Sequence, residues 1–154
     1  MSCKRQISHT ETFAAPAARV YRLLIDWGAI VNWMPNNLIR ELRLEGKGVG
    51  AIRYLTTGAG VELAERLESM DEASTSITLS MLPPLPWHLL SYNATGVIEP
   101  LVADTCRLTW TANAAMPENA EQADQTAYLL HRSYESMFLG IRRELERYRE
   151  RRSC

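Results

Sequence analysis

An arginine and a glutamate are the side chains of this chain best suited to acid–base chemistry. Arg53 and Glu65 lie on two segments of strand-like polarity, residues 51–57 and 61–68, joined by a glycine-containing turn. A carboxylate can transfer protons, and a guanidinium can stabilise a developing oxyanion or enolate. Three roles are open to the pair: catalysis, orientation of the polar end of a ligand, or an internal structural salt bridge.

The register of these two segments decides whether the charged groups meet. Pairing Thr57 with Val61 across the turn places Leu55 opposite Leu63 and brings Arg53 opposite Glu65. This face is more apolar than the other one, so we expect it to point inward. A buried charge without a partner costs several kcal/mol, so both groups must be paired, hydrated or bound to a ligand.

Aromatic and thioether side chains form a second group of candidates. Tyr92 or Tyr134 can donate a proton, and an aromatic wall can stack on a planar ligand, although a large inward aromatic is more often plain core. Methionines suit an adaptable pocket lining. The candidate catalytic residues are Glu65, Arg53 and Tyr92. The candidate ligand-binding residues are Trp33, Arg53, Leu55, Leu63, Glu65, Met81, Tyr92, Trp110, Tyr134 and Met137.

The last two strands are expected to carry part of this wall. Alternation predicts that Tyr92 pairs with Trp110 and Ala94 with Leu108, both pairs facing inward. The outward face then carries polar side chains: Asn93, Thr95, Arg107 and Thr109. The inward residues of the preceding strand complete the predicted lining: Ile77, Leu79 and Met81.

Two of the three histidines require separate interpretations. His9 shares the inward face of the first strand with Glu11, and we favour a twist or bulge that turns both outward over a role in ligand orientation. Trp87 and His88 follow a proline-rich turn at the expected cavity mouth. They are candidates for a gate, although His88 is better interpreted as an exposed loop residue.

Metal and cofactor chemistry has little support in the sequence. The histidines, His131 included, show no metal-ligand spacing, and Cys3, Cys106 and Cys154 form no Cys-x2-Cys unit. We expect neither a metal nor a cofactor, and we interpret Cys106 as a small core residue. The glycine-rich stretch 45–50 joins two strands and opens no helix, which argues against nucleotide binding.

Composition limits the partners of the chain. Its 154 residues carry 17 Lys+Arg and 18 Asp+Glu, for a formal net charge of −1, so we expect no nucleic-acid partner. An odd number of widely spaced cysteines is typical of a reducing compartment. The N-terminus shows no signal-peptide pattern, and no apolar run is long enough to span a bilayer. We therefore expect a cytoplasmic protein without integral membrane association; the oligomeric state is open.

The elements that must position these residues follow from periodicity. Residues 4–13 alternate like a strand, helical patterns cover Pro16 to about Asp26 and then 29–33, and six strands follow between Leu38 and Trp110. Residues 119–149 have helical spacing of apolar side chains. The sheet needs a long cover for its apolar face, and this last helix is the candidate. We expect one α+β domain over residues 1–154.

Several stretches together resemble one superfamily. They are APAARVYRLLIDWGAIVNWMP, GKGVGAIRYL, GVELAERLESMD, PPLPW and RLTWTA, in that order along the chain. The chain resembles the START-like (SRPBCC, helix-grip) superfamily, in its polyketide cyclase/dehydrase and lipid-transport branch. The resemblance implies a seven-stranded curved antiparallel sheet wrapped around the long C-terminal helix, with two short helices between strands 1 and 2. Its glycine-rich loop is shorter than that of plant relatives.

The resemblance also implies a function. We expect a cavity between sheet and helix that binds a hydrophobic small molecule, lipid-like or polyketide/aromatic. A polyketide cyclase/dehydratase of the aromatase type, acting in the same cavity, is the alternative. A module that binds a protein partner is a third hypothesis.

Overall fold

A computed structural model describes residues 2–153. Along the chain the elements are β1 (Ser2–Phe13), α1 (Ala17–Ile25), α2 (Ile30–Trp33), β2 (Ile39–Glu45), β3 (Ile52–Thr57), β4 (Glu62–Asp71), β5 (Ser76–Leu82), β6 (Ser91–Pro100), β7 (Cys106–Pro117) and α3 (Ala120–Ser153). This order confirms the predicted α+β helix-grip class.

The seven strands form one antiparallel sheet in the order β1-β7-β6-β5-β4-β3-β2. Side chains alternate between buried and exposed along most strands, as in β5, where Ile77, Leu79 and Met81 are buried and their neighbours are half-buried. One face of the curved sheet therefore carries the core, and the other carries mainly polar side chains.

Helix α3 covers the concave face of the sheet. Its buried residues recur every three or four positions, which gives it one apolar stripe: Ala123, Leu130, Tyr134, Met137, Phe138, Ile141 and Leu145. Helix α2 packs closely on α3 at Gly140, where an added Cβ would lie 2.4 Å from the carbonyl oxygen of Trp33. Only glycine permits this approach of the two backbones.

The pairing of β3 with β4 confirms the predicted register. Arg53 pairs with Glu65 and Leu55 with Leu63. At the turn, the Thr57 amide donates to the Val61 carbonyl oxygen over 2.9 Å. The more apolar face points inward, as expected.

The predicted register of β6 and β7 is wrong. Tyr92 pairs with Ala114, four residues beyond the expected Trp110, and Ala94 pairs with Ala112, not Leu108. Trp110 lies opposite Gly96, where an added Cβ would be 2.9 Å from the indole ring. The glycine leaves room for the large ring and fixes the register. A shift by an even number of residues preserves the faces, so the residues expected inside are still inside.

The expected outward turn of His9 and Glu11 is also wrong. β1 pairs with β7 without interruption from Ser2 to Phe13, so no bulge reverses its faces. Instead, both side chains lie against α3. The His9 ring centroid is 4.7 Å from that of Phe138, and Glu11 accepts hydrogen bonds of 2.7 Å from both His9 and Arg142. Burial raises the pKa of Glu11, but these two hydrogen bonds outweigh it, so the net pKa is lowered.

Three further findings concern residues 2–153 as a whole. No helix there is long and apolar enough to cross a membrane. No group of three or more metal-ligating side chains comes together within this range. Cys3 and Cys106 are free thiols, whereas Cys154 lies outside the described residues.

Candidate ligand-binding cavity

A cavity of about 560 Å³ lies between the concave face of the sheet and α3. Nine of the ten residues expected to bind ligand line it: Arg53, Leu55, Leu63, Glu65, Met81, Tyr92, Trp110, Tyr134 and Met137. Strands β3 to β7 supply most of them, and α3 supplies the last two. Of the other expected lining residues, Ile77 and Leu79 are buried in the core and do not reach the cavity.

Trp33 is the exception among the predicted residues. It lies at the C-terminal end of α2, against Gly140 of α3, and lines a separate pocket with Arg19 and Tyr148. The close contact of α2 with α3 holds Trp33 outside the cavity. The expectation that Trp33 shapes the cavity wall is therefore wrong.

Arg53 and Glu65 form a buried ion pair in the cavity wall. The Arg53 Nε donates to Glu65 Oε1 over 2.8 Å, and the side chains are only 6% and 13% exposed. Burial lowers the pKa of Arg53, and the negative charge of Glu65 offsets only part of this decrease. The two charged groups are therefore paired with each other inside the protein, as the predicted register requires.

Trp27 completes the surroundings of this ion pair. The Arg53 guanidinium stacks on the indole ring, 3.5 Å from its centroid, and its Nη1 donates to the Trp27 carbonyl oxygen over 3.3 Å. The Trp27 Nε1 donates in turn to the backbone carbonyl oxygen of Glu65 over 3.2 Å. Trp27 follows α1, so sequence reasoning missed this contact with β3 and β4, which no local pattern signals.

Tyr92 and Tyr134 bring two phenol groups together in the same cavity. Their hydroxyl oxygens are 2.6 Å apart, and the side chains come from β6 and α3, respectively. Burial raises the pKa of both hydroxyls well above that of a free tyrosine, so both are protonated at neutral pH. The sequence marked both residues as candidates but gave no sign that they form a pair.

Trp110 lies beside this tyrosine pair. Its ring centroid is 6.4 Å from that of Tyr134. The indole Nε1 is buried and forms no hydrogen bond of ordinary length within residues 2–153, but it lies close enough to the Tyr92 and Tyr134 hydroxyls to offset part of the rise in their pKa. The cavity wall therefore combines aromatic surface with several hydrogen-bond donors.

The rim of the cavity contains residues that sequence reasoning missed. They come from the loop before β2, the β3–β4 turn and the outer side of α3: Asn36, Asn37, Ala59, Leu129, Arg132 and Ser136. Most are exposed, so hydrophobic periodicity gives no signal for them. The helical spacing of residues 129–137 around Tyr134 was the available clue for the α3 members.

Trp87 lies at this rim, as expected of a residue near the mouth. It is half-buried, and its carbonyl oxygen accepts a hydrogen bond of 2.6 Å from Thr126 Oγ1 of α3. His88 is exposed and does not line the cavity, in agreement with its interpretation as a loop histidine. His9 and Glu11 do not reach the cavity either.

This chain has the architecture of the helix-grip class of proteins. A curved antiparallel sheet closes around a long C-terminal helix, with a ligand-sized cavity between them. The family model described as polyketide cyclase / dehydrase and lipid transport matches residues 4–146. The chain belongs to this family.

Solved structures share the fold of this chain. Norcoclaurine synthase from Thalictrum flavum, a point mutant in complex with a transition-state analogue, is 18% identical over 97% of this chain and 98% of its own, with a TM-score of 0.81. The Zhui aromatase/cyclase from Streptomyces sp. R1128 is 20% identical over 94% and 95% of the two chains, with a TM-score of 0.77.

A protein from Thermobifida fusca is 28% identical over 83% of both chains, with a TM-score of 0.68. No curated protein matches the sequence. The two enzymes are similar to this chain in fold, and their activities are not transferred by that likeness.

Proposed function

We propose that the protein binds a hydrophobic small molecule, lipid-like or polyketide/aromatic, in the cavity between the sheet and α3. The cavity of about 560 Å³ is the observation that carries the proposal. Binding sites for small molecules commonly have volumes of roughly 300–1,000 Å³, with mostly apolar walls and a few placed polar groups.

The composition of the wall supports the proposal. Leu55, Leu63, Met81 and Met137 provide apolar surface. Four aromatic residues provide flat faces for a planar ligand: Trp87, Tyr92, Trp110 and Tyr134. Two polar pairs stand in this wall, Arg53–Glu65 on the sheet and Tyr92–Tyr134 between β6 and α3, while other polar residues lie at the rim. Such an arrangement orients one end of an otherwise apolar molecule.

A cavity-filling variant tests the proposal directly. Leu63→Trp places an indole in the cavity, whereas Glu62→Trp on the same strand adds the same side chain to the exposed opposite face. We expect compounds that raise the melting temperature of the wild type and of Glu62→Trp to leave Leu63→Trp unchanged. Equal stabilisation of all three proteins by every active compound would overturn the proposed site.

A cyclase/dehydratase of the aromatase type is the second candidate function. The observation that favours it is the presence of ionisable groups in the cavity wall. In this mechanism Glu65 takes a proton from the carbon next to a ketone, and Arg53 stabilises the enolate. The enolate carbon then attacks a second carbonyl of the same molecule. Tyr92 protonates the resulting alkoxide. On dehydration the Tyr92 phenolate removes the second proton from the attacking carbon, and Glu65 returns its proton to the departing hydroxyl, which leaves as water.

Glu65→Gln separates the two candidate functions. Because an amide cannot act as a base, an enzyme with this variant keeps ligand binding and loses turnover. A binding protein has no turnover to lose in either form. The assay follows consumption of a poly-β-ketone model substrate by mass spectrometry, with binding measured in parallel.

A further inference from the structure

We propose that the cavity selects uncharged ligands that carry a hydrogen-bond acceptor, such as a ketone carbonyl, for the hydroxyl proton that the Tyr92–Tyr134 pair leaves unused. This inference rests on the proposed binding function and specifies the chemical class of its ligand.

The tyrosine pair carries more hydroxyl protons than its own hydrogen bond uses. Each phenol has one O–H, and the 2.6 Å contact between the two oxygens uses only one of them. The other hydroxyl proton has no acceptor within residues 2–153. Both tyrosines line the cavity, so a ligand atom can reach this proton.

Trp110 adds to the excess of donors. Its indole Nε1–H is a donor that cannot accept, and it lies near the Tyr92 and Tyr134 hydroxyls without forming a hydrogen bond of ordinary length there. Its ring lines the cavity, but its Nε1 atom is fully buried, so this N–H does not contact a ligand directly. The two phenols and the indole thus carry three donor hydrogens, and only one of these forms a hydrogen bond of ordinary length.

An apolar ligand that fills the cavity leaves the spare hydroxyl proton buried without an acceptor. An unsatisfied buried donor weakens binding by about tenfold or more relative to a satisfied one. A carbonyl oxygen placed at the tyrosine pair removes this cost. The cavity therefore favours a ligand with an acceptor over one of the same shape without it.

The charges of the wall argue that this acceptor is neutral. Arg53 and Glu65 already neutralise each other at 2.8 Å, and the remaining charged residue of the lining, Arg132, is exposed at the rim. A carboxylate inside the cavity has no uncompensated cation deep in the wall, and it lies near the negative charge of Glu65. The free-energy cost of removing this carboxylate from water is therefore not offset.

Three naphthalene probes separate these requirements. 2-Acetylnaphthalene carries a ketone, 2-isopropylnaphthalene has nearly the same shape without an acceptor, and 2-naphthoate carries a negative charge. Dissociation constants are measured by isothermal titration calorimetry for the wild type, Tyr92→Phe, Tyr134→Phe and the double variant.

We expect the double variant to bind the ketone about tenfold more weakly, and the isopropyl probe as well as or better than the wild type does. Each single variant retains one phenol proton, so its affinity for the ketone should fall by less than about threefold. Equal effects of the double variant on both probes would overturn the inference. Binding of no probe by the wild type would overturn the proposed function as well.

The charge requirement has its own test. The wild type should bind 2-naphthoate at least about tenfold more weakly than the ketone at pH 7. Glu65→Gln frees the charge of Arg53 and should raise the affinity for 2-naphthoate. A wild type that prefers the anion, or a Glu65→Gln variant that binds it less tightly, contradicts the inference.

Infrared spectroscopy of the ketone bound to the wild type tests the inference without relying on the folding of any variant. The ¹³C-labelled carbonyl of bound 2-acetylnaphthalene should absorb at a lower infrared frequency than in an alkane solvent, because it accepts a hydrogen bond. An alkane-like frequency would show that the bound carbonyl meets no donor and would overturn the inference.

Discussion

Replacing Glu65 with leucine removes the counter-charge of Arg53 while the guanidinium stays in place. Arg53 is 5% exposed and lies between the Glu65 carboxylate and the ring of Trp27, so it cannot turn to solvent without disrupting the wall. Breaking a buried ion pair by removing one partner costs about 3–5 kcal/mol of the free energy of unfolding. We expect a loss of this size for Glu65→Leu.

Two further variants distinguish loss of the pair from loss of packing. In Arg53→Met/Glu65→Leu no charge is left unpaired, so its stability should lie within about 1 kcal/mol of the wild type, or above it. Glu62→Leu, an exposed change on the same strand, should stay within about 0.5 kcal/mol. Urea denaturation measures all four proteins at equal pH and salt.

The expected loss also shifts thermal unfolding. For a chain of this length each kcal/mol lowers the melting temperature by roughly 2–4 °C, so Glu65→Leu should melt roughly 6–20 °C below the wild type. A loss below about 1 kcal/mol for Glu65→Leu, or a double variant no more stable than Glu65→Leu, would refute the description of a coupled buried pair.

Three other predictions follow from single contacts. Gly96→Ala should cost about 1–3 kcal/mol in urea denaturation because its Cβ would lie 2.9 Å from the Trp110 ring, whereas Thr95→Ala on the outward face should not; equal stability of the two variants would contradict the observed register. Gly140→Ala should destabilise the protein more than Leu139→Ala does, because its Cβ would lie 2.4 Å from the Trp33 carbonyl oxygen; the readout is the melting temperature, and an unchanged value would argue against the close α2–α3 packing. Glu11→Gln should cost less than about 1 kcal/mol at pH 7, because the pair is partly exposed. The lowered pKa of Glu11 means that its contribution is complete above the ordinary value of 4.5 and is lost as the pH falls through the folded-state pKa, so the difference from wild type in urea should shrink in acid. A difference that grows in acid would contradict this sign.

The local sequence pattern was sufficient to predict strand pairing where a short turn joins two strands. The turn Gly58-Ala59-Gly60 leaves one pairing that puts the apolar side chains on one face, and that pairing located the Arg53–Glu65 contact. The class of fold followed similarly from the order of strands and helices. These features depend on residues that are close in sequence.

Contacts between distant elements were not predictable from such patterns. The register of β6 and β7 depends on the fit of Trp110 against Gly96, which alternation alone does not detect. Glu11 stays on the inner face because Arg142, 131 residues away, supplies its partner. Trp33 lies outside the cavity because Gly140 lets α2 pack against α3.

Occupancy of the cavity by a hydrophobic molecule is the central claim, and native mass spectrometry on protein purified gently from its own host tests it most directly. We expect a stoichiometric adduct that is released on denaturation and identified as an uncharged, largely apolar compound. The Leu63→Trp variant, purified in the same way, should lack this adduct, whereas Glu62→Trp should keep it. A wild type without any adduct, and without thermal stabilisation by sterols, fatty acids, quinones or aromatic polyketides, would contradict the claim.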